Sequence, residues 1–327
     1  MSRKKLENVQ WCEDTATLAR SEVFNAFIGS LATSLGAMDS KVDLTWLMGT
    51  SAFAFRILVN EVMCPSAMSV FEWTVLLPEA VEQAGYGCTY ITDWRQQEVA
   101  DERKLEAQEK IIRAIDRGVP PIVWDIQVPD WGVIVGYDME AETYDTLACT
   151  GEAAAMPFDQ LGQREEKILS VTIPGEESER TREEIILRSL RAAVAHAEQR
   201  EWMPRPQYQD GLPAFDLWAR VIEPGTNEET NFDFADYYAG YHYSARCCAH
   251  RYLREIADGD QDLLQTAAEY ERVASCPLPV WDHFSRMARP DEEVLHALAD
   301  RIRKAKRAEE RGIEHIKRYL ATVEQQD

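Results

Sequence analysis

Nucleophilic chemistry by a thiol or hydroxyl needs a nucleophile, a base and a group that orients the base. The chain has seven cysteines and six histidines from which to build such a set. All six histidines (His196, His242, His250, His283, His296 and His315) lie in the second half, so residues 1–195 contain none. A cysteine–histidine dyad within those residues is excluded by composition alone. The cysteines (Cys12, Cys64, Cys88, Cys149, Cys247, Cys248 and Cys276) are odd in number and scattered, with no C-x-x-C pair. That excludes a zinc ribbon and suits a reducing cytoplasm. His242 and His250 stand eight apart with no third ligand in view, so no metal and no other cofactor is expected.

Carboxylates beside indoles are the less ordinary feature. In "VPPIVWDIQVPDWGVIVGYD", residues 119–138, Asp125 follows Trp124 and Asp130 precedes Trp131. A carboxylate next to an indole face suits a cationic or amine-bearing ligand. Trp11 is a further candidate to line such a site. Residues 233–257 add a helical stripe of Asp233, Tyr237, Tyr241, Ser244 and Cys248. The stripe either lines a pocket with Tyr237 and Tyr241 or packs with its hydroxyls bonded. Arg56, after the apolar "AFAF", reads as a buried partner for a carboxylate or as a clamp for a ligand anion. "GTSAF" at 49–53 places Phe53 where a nucleophile elbow needs glycine, which removes Ser51 from consideration.

The elements that must position these residues follow from periodicity. Ser21 precedes an apolar helical pattern over 23–35 that stops at Gly36, with Ser21 as its N-cap. Residues 40–58 read as a second helical or extended unit. Helices are expected at 75–84 and 100–117, and strands at "YGCTYIT", 121–126, 131–137, 143–149 and "KILSVTIP". With the turn between the middle strands near 139–141, Asp130 falls opposite about Thr150. A seam follows at "IPGEESERTREE", where Thr181 and Glu184 form a capping box. Beyond it the pattern is helical: 181–199, 212–222, 233–257, 260–275 and 291–323. The fold class is therefore α+β, with an α+β domain over 1–175 and an all-α helical domain over 176–327.

At 327 residues and 45% hydrophobic content the chain can bury a sizeable core, and its length favours two domains. A net charge of -22 argues against nucleic acid, whose phosphates demand a basic surface, and against anionic membranes. "MSRKKLENVQ" carries no apolar run, and no stretch is apolar enough to span a bilayer. A cytoplasmic protein is expected. Its partner would be a small-molecule or peptide ligand, with a homo-oligomer as a further option.

Three stretches carry a family likeness: "SEVFNAFIGSLATSLG", "LMGTSAFAFRI" and "GVPPIVWDIQVPDWGVIVGYD". Through them the first 175 residues resemble the papain-like domain of the butirosin-biosynthesis acyltransferase H type, a group similar to the double-glycine peptidases. The resemblance implies helices packed on an antiparallel sheet, with a cysteine at the N-terminus of the first long helix. It also implies a histidine at the start of a strand and an Asp or Asn on the neighbouring strand. Here Ser21 stands nearest the cysteine position and Asp130 takes the histidine position. Near Thr150 only Ala148, Cys149 and Gly151 are found. The resemblance thus implies a non-catalytic protein that keeps its cleft, near the domain interface, for a ligand in a biosynthetic setting. The alternative is an acyltransferase or amide hydrolase using Ser21 or Cys12, with His242 or His250 as a base from the helical domain.

Overall fold

The computed structural model describes residues 3–7, 9–12, 25–40, 43–94, 99–164, 166–201, 206–225, 230, 232–286 and 291–325. In chain order the elements begin with β1 (Arg3–Lys5), α1 (Ala26–Ala37), α2 (Leu44–Thr50), β2 (Leu58–Asn60), α3 (Trp73–Gln83), β3 (Tyr86–Asp93) and α4 (Asp101–Asp116). Then come β4 (Ile122–Trp124), β5 (Trp131–Asp138), β6 (Thr143–Leu147), β7 (Ala153–Pro157) and β8 (Leu169–Glu177). The remainder is α5 (Arg182–Ala197), β9 (Tyr208–Asp210), α6 (Gly211–Ile222), α7 (Ala235–Ile256), α8 (Gln261–Ser275), α9 (Pro277–Phe284) and α10 (Glu292–Val323). The protein is mixed α and β, mostly helical, with an antiparallel sheet.

Two compact units divide the chain. One comprises residues 1–47 and 73–179, the other 48–72 and 180–327. The seam expected at 175–176 falls inside β8, and the segment 48–72 groups with the helical half. A physical reason lies in that segment: β2 pairs antiparallel with β9, Leu58 opposite Asp210, and Arg56 is bonded to Glu201.

In the first unit the sheet runs β3-β8-β4-β5-β6-β7, with β1 added on β5. Alternation along each strand separates its two faces. Val123 and Ile134 face α4, joining Ala107, Ile111, Ala114 and Ile115 in one apolar cluster. Trp124 and Trp131, opposite one another in the β4–β5 register, point the other way. There Trp131 meets Phe27 of α1 edge-on, with ring centroids 5.8 Å apart. The α1 residues Phe27, Ile28 and Leu31 are buried, so this helix forms the second cover of the sheet.

Asn25, not Ser21, caps α1: its Oδ1 accepts from the Ile28 amide at 2.9 Å. Ser21 lies outside the described residues. Three strands carried no sequence signal. "AAAMP" of β7 has low strand preference and is held by its ladder to β6, with Tyr144 opposite Met156. "RKK" of β1 is charged and pairs Lys4 with Tyr137. β9 falls in the gap between the helices expected at 181–199 and 212–222.

The second unit is helical apart from β2 and β9. Its capping box is present, Thr181 accepting from the Glu184 amide while the Glu184 carboxylate accepts in return. Leu295, Leu298, Ile302, Ala305, Ile313, Ile316 and Leu320 of α10 form one apolar stripe and are all buried. No helix among the described residues is long and apolar enough to cross a membrane.

Candidate functional site at the start of β5

Asp130 closes the bend between β4 and β5. Its amide donates to Val128 O at 2.7 Å and its carbonyl accepts from the Asp125 amide at 2.9 Å. Its carboxylate oxygen Oδ1 accepts from the Trp131 amide at 2.9 Å. Among the described residues no cation pairs with this half-buried carboxylate. Burial pushes its carboxyl up to about 7, although the Trp131 hydrogen bond favours the ionised form.

Indoles surround the same corner. Trp73, at the N-terminus of α3, lies 4.7 Å from Trp124, 4.8 Å from Trp131 and 4.5 Å from Trp94 between ring centroids. Trp124 and Trp131 are 4.6 Å apart. Such tilted and edge-on pairs are worth about 0.5–1.5 kcal/mol each beyond area burial. Trp94 remains 41% exposed, which gives the cluster an open side. The Nε1 of Trp124 is buried and has no hydrogen-bond partner among the described residues. No local sequence signal joins Trp73 to Trp124 and Trp131, or Trp94 to Trp73, since only the fold brings α3 and the end of β3 to β5.

The register of β5 on β6 pairs Val133 with Leu147. Cys149 lies two residues beyond that pair, in the turn after β6. The Asp130 charge is felt at that thiol, which burial first and Asp130 second push up to about 12. Cys149 is therefore a protonated thiol at neutral pH and a poor nucleophile. The corner holds a carboxyl and a thiol, each kept neutral more readily than usual.

Asp125 does not share this freedom. It is 3% exposed, its Oδ2 accepts from the Glu166 amide at 3.1 Å, and its Oδ1 faces Arg164 Nε at 3.5 Å. With φ of 53° it sits in the left-handed region, which aspartate tolerates better than most residues. Its carboxylate is consumed by the loop before β8.

The remaining first-unit candidates lie along α1. The Trp11 indole covers Gly29, where a Cβ would come within 2.6 Å of its Cζ2. The Cys12 amide donates to Thr33 Oγ1 at 3.0 Å. Thr33 is eight residues beyond the Asn25 cap, about 12 Å along the axis, so Cys12 gains nothing from the helix N-terminus.

In the second unit Tyr237 and Tyr241 pair with ring centroids 6.4 Å apart. His242 is 2% exposed and enclosed by Trp218 at 5.0 Å, Tyr238 and Tyr241. Neither ring nitrogen has a partner among the described residues. Burial, then the charges of Arg246 and His196, hold its titration well below the ordinary histidine range. His250 has its Nδ1 fixed 2.8 Å from the Ala267 carbonyl. Among the described residues no group of three or more His, Cys, Asp or Glu could hold a metal ion.

Arg56 is a structural partner. Its Nε donates to Glu201 Oε2 at 3.0 Å and its Nη1 to Ser51 O at 2.6 Å. His196 continues the network, with Nδ1 3.1 Å from Glu201 Oε2 and Nε2 accepting from the Ile57 amide at 2.9 Å. Burial would raise the Glu201 carboxyl, but the Arg56 charge and the His196 bond outweigh it and hold it at about 2.

Compared with known proteins, the chain matches no family model and no curated sequence.

Proposed function

We propose that this chain is a non-catalytic binding protein that takes a small amine-bearing cation, free or as part of a peptide, at Asp130. The observation that carries the reading is a half-buried carboxylate with no cation partner among the described residues, bonded to the backbone amide of Trp131, whose indole packs on Trp73 and Trp124. An ammonium group there would replace the missing counter-charge and meet aromatic faces, the two terms that favour a desolvated cation. In this reading the first unit is a papain-like scaffold whose catalytic set has been replaced. Its support is α1 laid on β4 and β5, with Asn25 at the helix start, Asp130 just before β5 and Cys149 in the turn after β6. An acyl-transfer role would need Ser21 or Cys12 activated by a base; Ser21 lies outside the described residues, and Cys12 sits beside Thr33, away from the start of α1. Native mass spectrometry of the purified full chain tests the reading. A basic small molecule lost on Asp130→Asn supports it; a ligand retained unchanged by that variant sinks it.

A further inference from the structure

We propose that the face of α7 carrying Tyr243, Cys247 and Arg251 is a second site, for a small oxyanion such as phosphate, sulfate or a carboxylate. The three residues are spaced by four and share one side of the helix. Arg251 is half-buried, and its Nη1 is out of solvent with no acceptor among the described residues. The contrast with the other buried guanidinium groups is direct. Arg56 is paired with Glu201, and Arg246 with Glu309 at 2.8 Å.

Acids on α7 and α8 already hold other cations. Glu255, one turn further along α7, pairs with Arg182 at 2.9 Å. On α8, Glu269 holds Arg272 and Arg311, and Asp262 holds His315 and Arg318. A desolvated cationic nitrogen without an acceptor is costly, so an anion from outside the chain is the natural complement.

Toward the helix N-terminus the face carries Cys247 and Tyr243, the latter packed on Trp281 with ring centroids 5.6 Å apart. Burial raises the Cys247 thiol above its usual range, although a Tyr243 hydrogen bond and the Arg251 charge favour its thiolate. At neutral pH an oxyanion beside Arg251 therefore meets a guanidinium and a thiol. The guanidinium fork suits two oxygens of one anion.

The test uses the full chain in oxyanion-free buffer, titrated with sodium phosphate, sulfate or acetate against chloride at constant ionic strength. Calorimetry and thermal unfolding are read together. A saturable response to at least one oxyanion is expected, and which one responds identifies the anion geometry. Arg251→Met should weaken it at least tenfold, with an unliganded melting temperature equal to or above that of the parent. Arg254→Met, an exposed arginine on the same helix, should leave it unchanged. If Arg251→Met fails to fold, Arg251→Lys, which keeps the charge but loses the fork, should weaken binding several-fold. No saturable response, or an equal response in parent and Arg251 variant, overturns the proposal.

Discussion

The Trp131 amide donates to the carboxylate of Asp130 at 2.9 Å, so a residue and its own successor fix the only oriented bond that this carboxylate makes among the described residues. One hydrogen bond does not offset the desolvation of a charge. Among the described residues the corner is short of positive charge, and that shortage governs its behaviour with pH.

Asp130→Asn should stabilise the protein at alkaline pH. The folded carboxyl titrates at about 7 against an unperturbed 3.8. Between those values the native state binds more protons than the unfolded one, so stability falls as pH rises through 7. Removing the charge should raise stability at pH 8 by roughly 1–3 kcal/mol and leave it unchanged below about pH 4. Urea unfolding at pH 4, 6 and 8 checks this. A variant less stable than its parent at pH 8 would mean that the carboxylate has a cation partner.

Arg56→Met should cost about 3–5 kcal/mol, because it strands Glu201 in a buried setting. Adding Glu201→Met should recover part of the loss, which a double-mutant cycle by chemical denaturation measures. The Glu201 contribution is present above the ordinary 4.5 and is lost as pH falls toward about 2. The single variant should therefore lose the parent's acid-dependent slope in that window.

How much of this was legible in the sequence differs by residue. Hairpin arithmetic sets Asp130 opposite Thr150, but the β5–β6 ladder ends at the Val133–Leu147 pair and residues 148–151 form a turn. Arg56 could be read as a buried partner because it ends an apolar run, yet Glu201 lies 145 residues away and nothing local names it. Trp73 was equally hidden, since its nearness to Trp124 and Trp131 depends on how α3 enters the fold. Asp125 looked equivalent to Asp130, because side-chain type and indole neighbour are the same in both. Only the arrival of Arg164 and the Glu166 amide separates them.

His242 should make the second unit acid-sensitive. Its folded titration lies well below 6.5, so below that pH the unfolded chain binds the extra proton and stability falls as pH drops. Above 6.5 the residue has no effect on the slope. His242→Phe should flatten the melting-temperature profile between pH 6.5 and 5, as followed by circular dichroism. An unchanged slope would place the acid response elsewhere.

Cys149 should resist alkylation in the native state. With its thiol pushed up to about 12, iodoacetamide at pH 7.5 should modify it far more slowly than in the urea-unfolded chain. Peptide mass mapping over time reads both rates. A Cys149 that reacts faster when folded would point to a nucleophile and contradict the non-catalytic reading.

The most direct measurement is a titration of intrinsic tryptophan fluorescence with tetramethylammonium chloride, against sodium chloride at equal ionic strength. With a carboxyl at about 7, about one-tenth of Asp130 is ionised at pH 6 and about nine-tenths at pH 8. The account predicts a saturable change at pH 8, roughly tenfold weaker at pH 6 and absent in Asp130→Asn. A response independent of pH, or one that survives Asp130→Asn, would contradict it.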